Sequence, residues 1–202
     1  MKLYIHFCAF GFNNCYVVSD GDKAIIIDPG SMDENILKSI EDKDYALAGI
    51  LVTHGHSNHV HGIRTLKRIY STEIFCVSPE IQDFKTITVR DGESVNFGSI
   101  QVDVIAVPGH SADSAVFKIG QMLFTGDALS AGLVGRTASI YGSVNQMTAL
   151  RGKILSLPGD YTVFPGHGPP TSLDAERRFN AGINGHEDYN TGRSRFRAEL
   201  YF

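Results

Sequence analysis

Short apolar runs broken by turn residues set the pattern of this chain. Asn14-Cys15-Tyr16-Val17-Val18 and Ala24-Ile25-Ile26-Ile27, separated by the Gly21-Asp22 turn, predict a hairpin ending at Asp28-Pro29-Gly30. Asp33 to Ile40 spaces Ile36, Leu37 and Ile40 along one helix face, with Asp33 as the cap. Gly49-Ile50-Leu51-Val52-Thr53 predicts a buried strand and Gly62 to Tyr70 a helix. Ile74-Phe75-Cys76-Val77 reads as a further strand, and Pro79 to Phe84 as a Pro-initiated turn of helix. From Thr88 to Thr125 the pattern changes to strands and tight turns, at Asp91-Gly92, Phe97-Gly98 and Gly120-Gln121. Helices are expected over Gly142 to Leu155 and Ser172 to Ala181, with the strand Tyr161-Thr162-Val163-Phe164 between them. The two halves repeat an order of strands, helix and strand. That order predicts an α/β fold with two β-sheets face to face and helices outside, in one domain.

At 202 residues and a net charge of -4, the chain can bury one sizeable core and has no basic excess for nucleic acid. Cys8, Cys15 and Cys76 are scattered, with no Cys-x-x-Cys pair, and read as free thiols of a reducing compartment. Met1-Lys2-Leu3-Tyr4-Ile5-His6 lacks the apolar stretch of an export signal. No run approaches the ~20 apolar residues that span a bilayer. The expected setting is the cytoplasm, with a small-molecule substrate and neither nucleic acid nor membrane as partner.

Histidine changes the picture. Four of the 8 histidines fall between His54 and His61, directly after a predicted strand and before a predicted helix. A strand that stops in a turn sets its next side chains at a sheet edge. There His54 and His56 can point the same way, while His59 reaches back from the helix start. Imidazoles crowded in this way repel one another once protonated and favour a bound cation. The alternative is a polar loop that is merely rich in histidine. Three further strand ends carry metal-type side chains beside Gly or Pro: Val107-Pro108-Gly109-His110, Leu123-Phe124-Thr125-Gly126-Asp127 and Val163-Phe164-Pro165-Gly166-His167. Any one alone would be an ordinary turn residue; together with the cluster they point to a metal centre. Asp28 either accepts an N–H from a metal-bound imidazole or caps its own turn. His61 reads as an exposed residue of the first helical turn, and His6 and His186 have no assigned role.

These segments give the chain a resemblance to metallo-β-lactamase-fold hydrolases over nearly its whole length. The family pattern is His-x-His-x-Asp-His, a distant His, a bridging Asp and a final His. It falls on His54, His56, Asn58, His59, His110, Asp127 and His167. The resemblance implies an αββα sandwich with the metals at one sheet edge. It further implies that His54, His56 and His110 hold one metal, that His59 and His167 hold another, and that Asp127 bridges both. Asn58 departs from the pattern, since it replaces a carboxylate with a neutral and weaker donor. A weakened second site is the consequence. In the family that carboxylate also holds the attacking hydroxide, which makes Asn58 and Asp127 the candidate catalytic residues. Zinc is the expected occupant, as one ion or two, with iron or manganese as alternatives.

Small hydrolases that look like glyoxalase II fit the chain best among the family's branches. Their chemistry would be hydrolysis of a thioester or ester by a metal-bound hydroxide. Gly135-Arg136-Thr137 resembles a loop common to that branch and to iron-dependent persulfide dioxygenases of similar sequence, where Arg136 either meets an anionic substrate group or serves the loop itself. The C-terminal helical domain of full glyoxalase II does not fit in the residues that remain, so a substrate other than a glutathione conjugate is an equal expectation. Two other readings stand beside this one. One is a mononuclear-iron persulfide dioxygenase using His54, His110 and Asp127; the other is a catalytically silent metal-binding protein.

Overall fold

The apolar runs become strands with both faces buried, and that property builds the layers. The computed structural model describes residues 1–184. In it β1 (Lys2–Cys8), β2 (Asn13–Asp20) and β3 (Lys23–Ile27) form an antiparallel meander. Helix α1 (Glu34–Glu41) then leads to β4 (Ala46–Leu51), parallel to β3. Helices α2 (Ser57–Val60) and α3 (Ile63–Ile69) precede β5 (Ile74–Cys76), parallel to β4. A small hairpin follows, β6 (Glu80–Ile81) with β7 (Phe84–Lys85), and β8 (Ile87–Thr88) closes the first six-stranded sheet.

The second six-stranded sheet begins with β9 (Ser94–Phe97), β10 (Ile100–Ala106), β11 (Ala115–Ile119) and β12 (Met122–Gly126), each antiparallel to the next. After the ribbon β13 (Leu129–Ser130) and β14 (Leu133–Val134), helix α4 (Ile140–Ala149) runs on into a π-helical turn, Leu150–Ile154. Strand β15 (Thr162–Pro165) joins parallel to β12, β16 (Thr171–Ser172) pairs with it, and α5 (Leu173–Phe179) and α6 (Ala181–Asn184) finish the described chain.

Alternation along β2 and β3 divides the core. Tyr16, Val18, Ile25 and Ile27 meet Phe117, Phe124 and Phe164 of the second sheet. Cys15, Val17, Ala24 and Ile26 face the other way, onto Ile36 and Ile40 of α1 and Ile63 and Leu66 of α3. Beyond the second sheet, Val116, Leu123 and Val163 pack with Ala149, Leu150 and Ile154. Helix, sheet, sheet and helix are thus separated by three apolar layers, the αββα sandwich expected from the element order.

Two expectations need correction. Residues Pro79 to Phe84 form the β6–β7 hairpin, not a helical turn. Gln82 (φ 50) and Asp83 (φ 68) are both left-handed, the signature of a two-residue hairpin loop. Ile81 and Phe84 turn into the α1–α3 core, and that burial outweighs the Pro79 signal. The meander also starts one strand earlier than the pattern suggested. On edge strand β1, Ile5 and Phe7 stay exposed while Leu3 and Tyr4 pack inward, so apolar residues on both faces obscure the alternation. The helix expected from Gly62 to Tyr70 is α3, bounded by those two residues, and the short α2 ahead of it carries Asn58 and His59.

Candidate metal centre

Parallel pairing of β3 with β4, and of β12 with β15, sends four strand ends to the same edge of the sandwich. Asp28 follows β3; Thr53, His54 and His56 follow β4; Asp127 follows β12; His167 follows β15. His110 arrives beyond the end of β10, and α2 brings Asn58 and His59. All seven predicted site residues meet there. The backbone of Gly166 must also pass close by: a methyl group on it would lie 2.4 Å from Asp127 Oδ1 and 2.5 Å from His59 Cε1.

Acceptors around the site decide which ring nitrogens face inward. Phe12 C=O accepts from His167 Nδ1 at 2.8 Å, and Arg136 C=O accepts from His110 Nδ1 at 2.7 Å. A carbonyl can only accept, so both rings turn a bare Nε2 to the centre. Asp28 orients His59, whose Nδ1 lies 3.0 Å from Oδ2. Thr53 donates its hydroxyl to Asp28 (2.6 Å), leaving its oxygen to accept from His54 Nδ1 (3.1 Å). Asp28 therefore serves the imidazole, the first of its two expected roles. Its second oxygen fixes the end of β4 by accepting from the Thr53 backbone N–H at 2.8 Å.

The inward atoms form two groups that share Asp127: His54, His56, His110 and Asp127, and His59, Asp127 and His167. In the first, His56 Nδ1 lies 3.1 Å from His54 Nε2 and 3.0 Å from His110 Nε2. His56 has at most one proton on that nitrogen, so at least one contact opposes two lone pairs. Asp127 Oδ2 stands 3.8 Å from His54 Nε2 and 3.5 Å from His110 Nε2. In the second, the buried atoms His59 Nε2 and Asp127 Oδ1 face each other at 3.3 Å, and neither has a hydrogen-bond partner. Crowded lone pairs and orphaned buried ligand atoms are what a cation would satisfy, and imidazole with carboxylate is a donor set for zinc, iron or manganese.

Charge follows the same geometry. Burial, reinforced by His59, lowers the His54 pKa to about 3, and burial with His110 lowers that of His56. Both rings are neutral and free to act as ligands. Burial opposes charge on His59, but Asp28 and Asp127 outweigh it and raise its pKa to about 10. Burial would likewise raise Asp127, yet His59, His54 and His167 hold its carboxyl well below the usual range.

A family model described as metallo-beta-lactamase superfamily matches residues 8–167. The chain belongs to that superfamily. The superfamily is mainly one of metallohydrolases. "Hydroxyacylglutathione hydrolase GloC" of Haemophilus influenzae is 29% identical over 196 residues, covering 85% of this chain and 92% of the relative. ETHE1 from Myxococcus xanthus superposes with a TM-score of 0.81 at 26% identity, covering 96% of this chain and 93% of that one. A protein solved in a di-iron-bound form gives 0.75 at 27% identity, covering 88% and 98%. The chain spans nearly the full length of the GloC relative.

The remaining predicted positions behave as follows. Asn58 joins the second group through Nδ2, 2.9 Å from His167 Nε2. His61 is exposed and stacks on Phe10, with centroids 4.4 Å apart, outside both groups. His6 lies away from the centre on β1, and His186 falls outside the described residues. The Arg136 side chain is exposed, while its carbonyl orients His110. Sequence reasoning missed Phe12, whose contribution is a backbone carbonyl that no side-chain pattern records. It also gave Thr53 no role, although a hydroxyl just before His54 was a usable signal. Among the described residues, no helix is long and apolar enough to cross a membrane.

Proposed function

We propose that this chain is a metal-dependent hydrolase of a thioester or ester, akin to hydroxyacylglutathione hydrolases. One observation carries the reading: three imidazole nitrogens and a carboxylate oxygen lie within 4.8 Å of one another. His54, His56, His110 and Asp127 would hold one metal; His59, His167 and the other Asp127 oxygen form the second group beside it. A metal there supplies Lewis acidity, making hydroxide available from water near neutral pH and polarising a carbonyl. The chain's own residues do the rest. Phe12 C=O, Thr53 Oγ1 and Arg136 C=O accept from the outer ring nitrogens of His167, His54 and His110 and leave their inner nitrogens bare, while Asp28 orients His59, from whose raised-pKa ring a metal would have to displace a proton. Asp127 remains ionised between the two groups. Asn58 can hold a water by a hydrogen bond, but an amide takes no proton from it.

The likeness to GloC supports a thioester substrate. Zinc is the default occupant; in the second reading His54, His110 and Asp127 form a two-histidine, one-carboxylate iron site for a dioxygenase, and a neighbour solved with two irons supports iron as a metal for this fold. The test is elemental analysis of protein made without added metal, followed by a thioester panel and an oxygen-uptake assay. Chelation should abolish hydrolysis and zinc should restore it. His110→Ala should lower the rate by at least about 100-fold. Undiminished hydrolysis after complete chelation would refute the hydrolase reading. Iron in clear excess with oxygen uptake would select the dioxygenase, and metal binding without turnover would leave a silent binding protein.

A further inference from the structure

The second group of ligands contains a contact that a metal site would not need. His167 donates from Nδ1 to Phe12 C=O (2.8 Å), so its Nε2 is an acceptor. The only polar group of Asn58 that can pair with an acceptor is its NH2, and Nδ2 stands 2.9 Å away. Both nitrogens of His167 are thereby satisfied. The other members of the group, His59 Nε2 and Asp127 Oδ1, remain without partners. Asn58 is also closely packed in place. A methyl group on Gly11, at φ +78 in the β1–β2 loop, would lie 2.3 Å from Asn58 Cβ.

We propose that Asn58 closes the second group by capping His167, so that this protein works with a single metal ion. Asn58, His167 and the Phe12 carbonyl then form a strut that ties the β1–β2 loop to α2 across the site. The proposal rests on the hydrolase reading only for the presence of the first metal. A second ion would need three ligands, one of them His167 Nε2. Taking that lone pair breaks the Asn58 bond and requires the amide to turn over, offering only a neutral oxygen in return. The first group involves no such amide exchange: the contacts at the inward nitrogens of His54 and His110 are to His56 Nδ1, itself a member of that group, and a metal there requires only that this nitrogen carry no proton.

Zinc titration of the full chain against a chromophoric chelator, with elemental analysis, tests this on four proteins. Wild type should hold one tight ion. His167→Ala should hold the same ion with affinity unchanged within about twofold, since it is not a ligand of the first group. Asn58→Asp should bind two ions, the second at least about tenfold tighter than any second ion in wild type. The double variant N58D/H167A should return to one. Amides of residues 9–13 should exchange faster in His167→Ala, because the strut is gone while the metal is kept. A second measurement needs no variant: in zinc-loaded wild type, the His167 side-chain nitrogen spectrum should report an Nδ1–H tautomer with Nε2 free of metal. Two comparably tight ions in wild type, or a metal-bound His167 Nε2, would overturn the proposal while leaving the hydrolase reading intact. No tightly bound ion in wild type would sink both.

Discussion

Replacing Asp28 tests the framework behind the ligands. Its carboxylate is buried and accepts from Thr53 N (2.8 Å), Thr53 Oγ1 (2.6 Å) and His59 Nδ1 (3.0 Å). In Asp28→Ala the hydroxyl can rotate elsewhere, but the Thr53 amide and the His59 ring nitrogen lose their acceptors in a dry interior. Each orphaned donor costs about 1–3 kcal/mol, so the expected loss is about 2–6 kcal/mol. For a domain of this size that corresponds to a fall in Tm of roughly 4–24 °C. Asp28→Asn separates stability from metal binding. One amide face can still accept from Thr53 N–H, while the NH2 then confronts His59 Nδ1. His59 has to move its proton to Nε2, the atom that faces Asp127. The asparagine variant should therefore melt above the alanine variant, yet lose about 10–100-fold in any metal affinity that depends on His59. Calorimetry of the metal-free proteins and zinc competition with a chelator measure the two effects separately. An alanine variant melting within about 2 °C of wild type, a loss under about 1 kcal/mol, would show that Asp28 does not carry this network.

Two further outcomes follow from local chemistry. Gly166→Ala places a methyl group against Asp127 Oδ1 and His59 Cε1, and should weaken metal binding by at least about tenfold in a chelator competition; unchanged affinity would mean that β15 can move aside. Asp103 is held down to a pKa of about 2, chiefly by Lys118, whose ammonium is 2.7 Å away, and by Gln101 and Ser94. Because its folded pKa lies below the ordinary carboxylate value, its contribution is present above about pH 4 and is lost as pH falls toward 2. Asp103→Asn should flatten that part of the acid-unfolding curve of metal-free protein, and an unaltered slope would refute the assignment.

The fold was legible where burial on both faces made strands continuous. Val17 and Val18, or Ile25 and Ile26, serve opposite layers, so an uninterrupted apolar run was the correct sign of a central strand. It was illegible where exposure and tertiary contact disagreed with local signals. Phe7 on β1 is apolar and 60% exposed, which blurs the two-residue period of an edge strand. Pro79 announces a helix start, but consecutive left-handed Gln82 and Asp83 turn the chain into a hairpin so that Ile81 can be buried. The helix cap at Asp33 did better, because it is local: Asp33 accepts from Ile36 N, as its position before an apolar period suggested.

The candidate site divides along a similar line. Ligand-type residues were visible because histidine and aspartate after strand ends are distinctive, and the topology carries each of them to one edge. What cannot be read from residue types is which nitrogen of each ring is free. That depends on acceptors remote in sequence, such as Phe12 C=O for His167 and Asp28 for His59, 155 and 31 positions away. The same limit applies to Asn58. As a letter it signals a lost carboxylate and a weaker ligand. In the fold it is a donor set 2.9 Å from a lone pair, which makes it a competitor of the second metal and not a poor helper. The two descriptions predict different behaviour for His167→Ala. A poor helper leaves His167 as a ligand whose loss weakens the second ion still further. A competitor leaves no second ion to lose, and the variant keeps its metal count while the loop that Phe12 anchors comes loose.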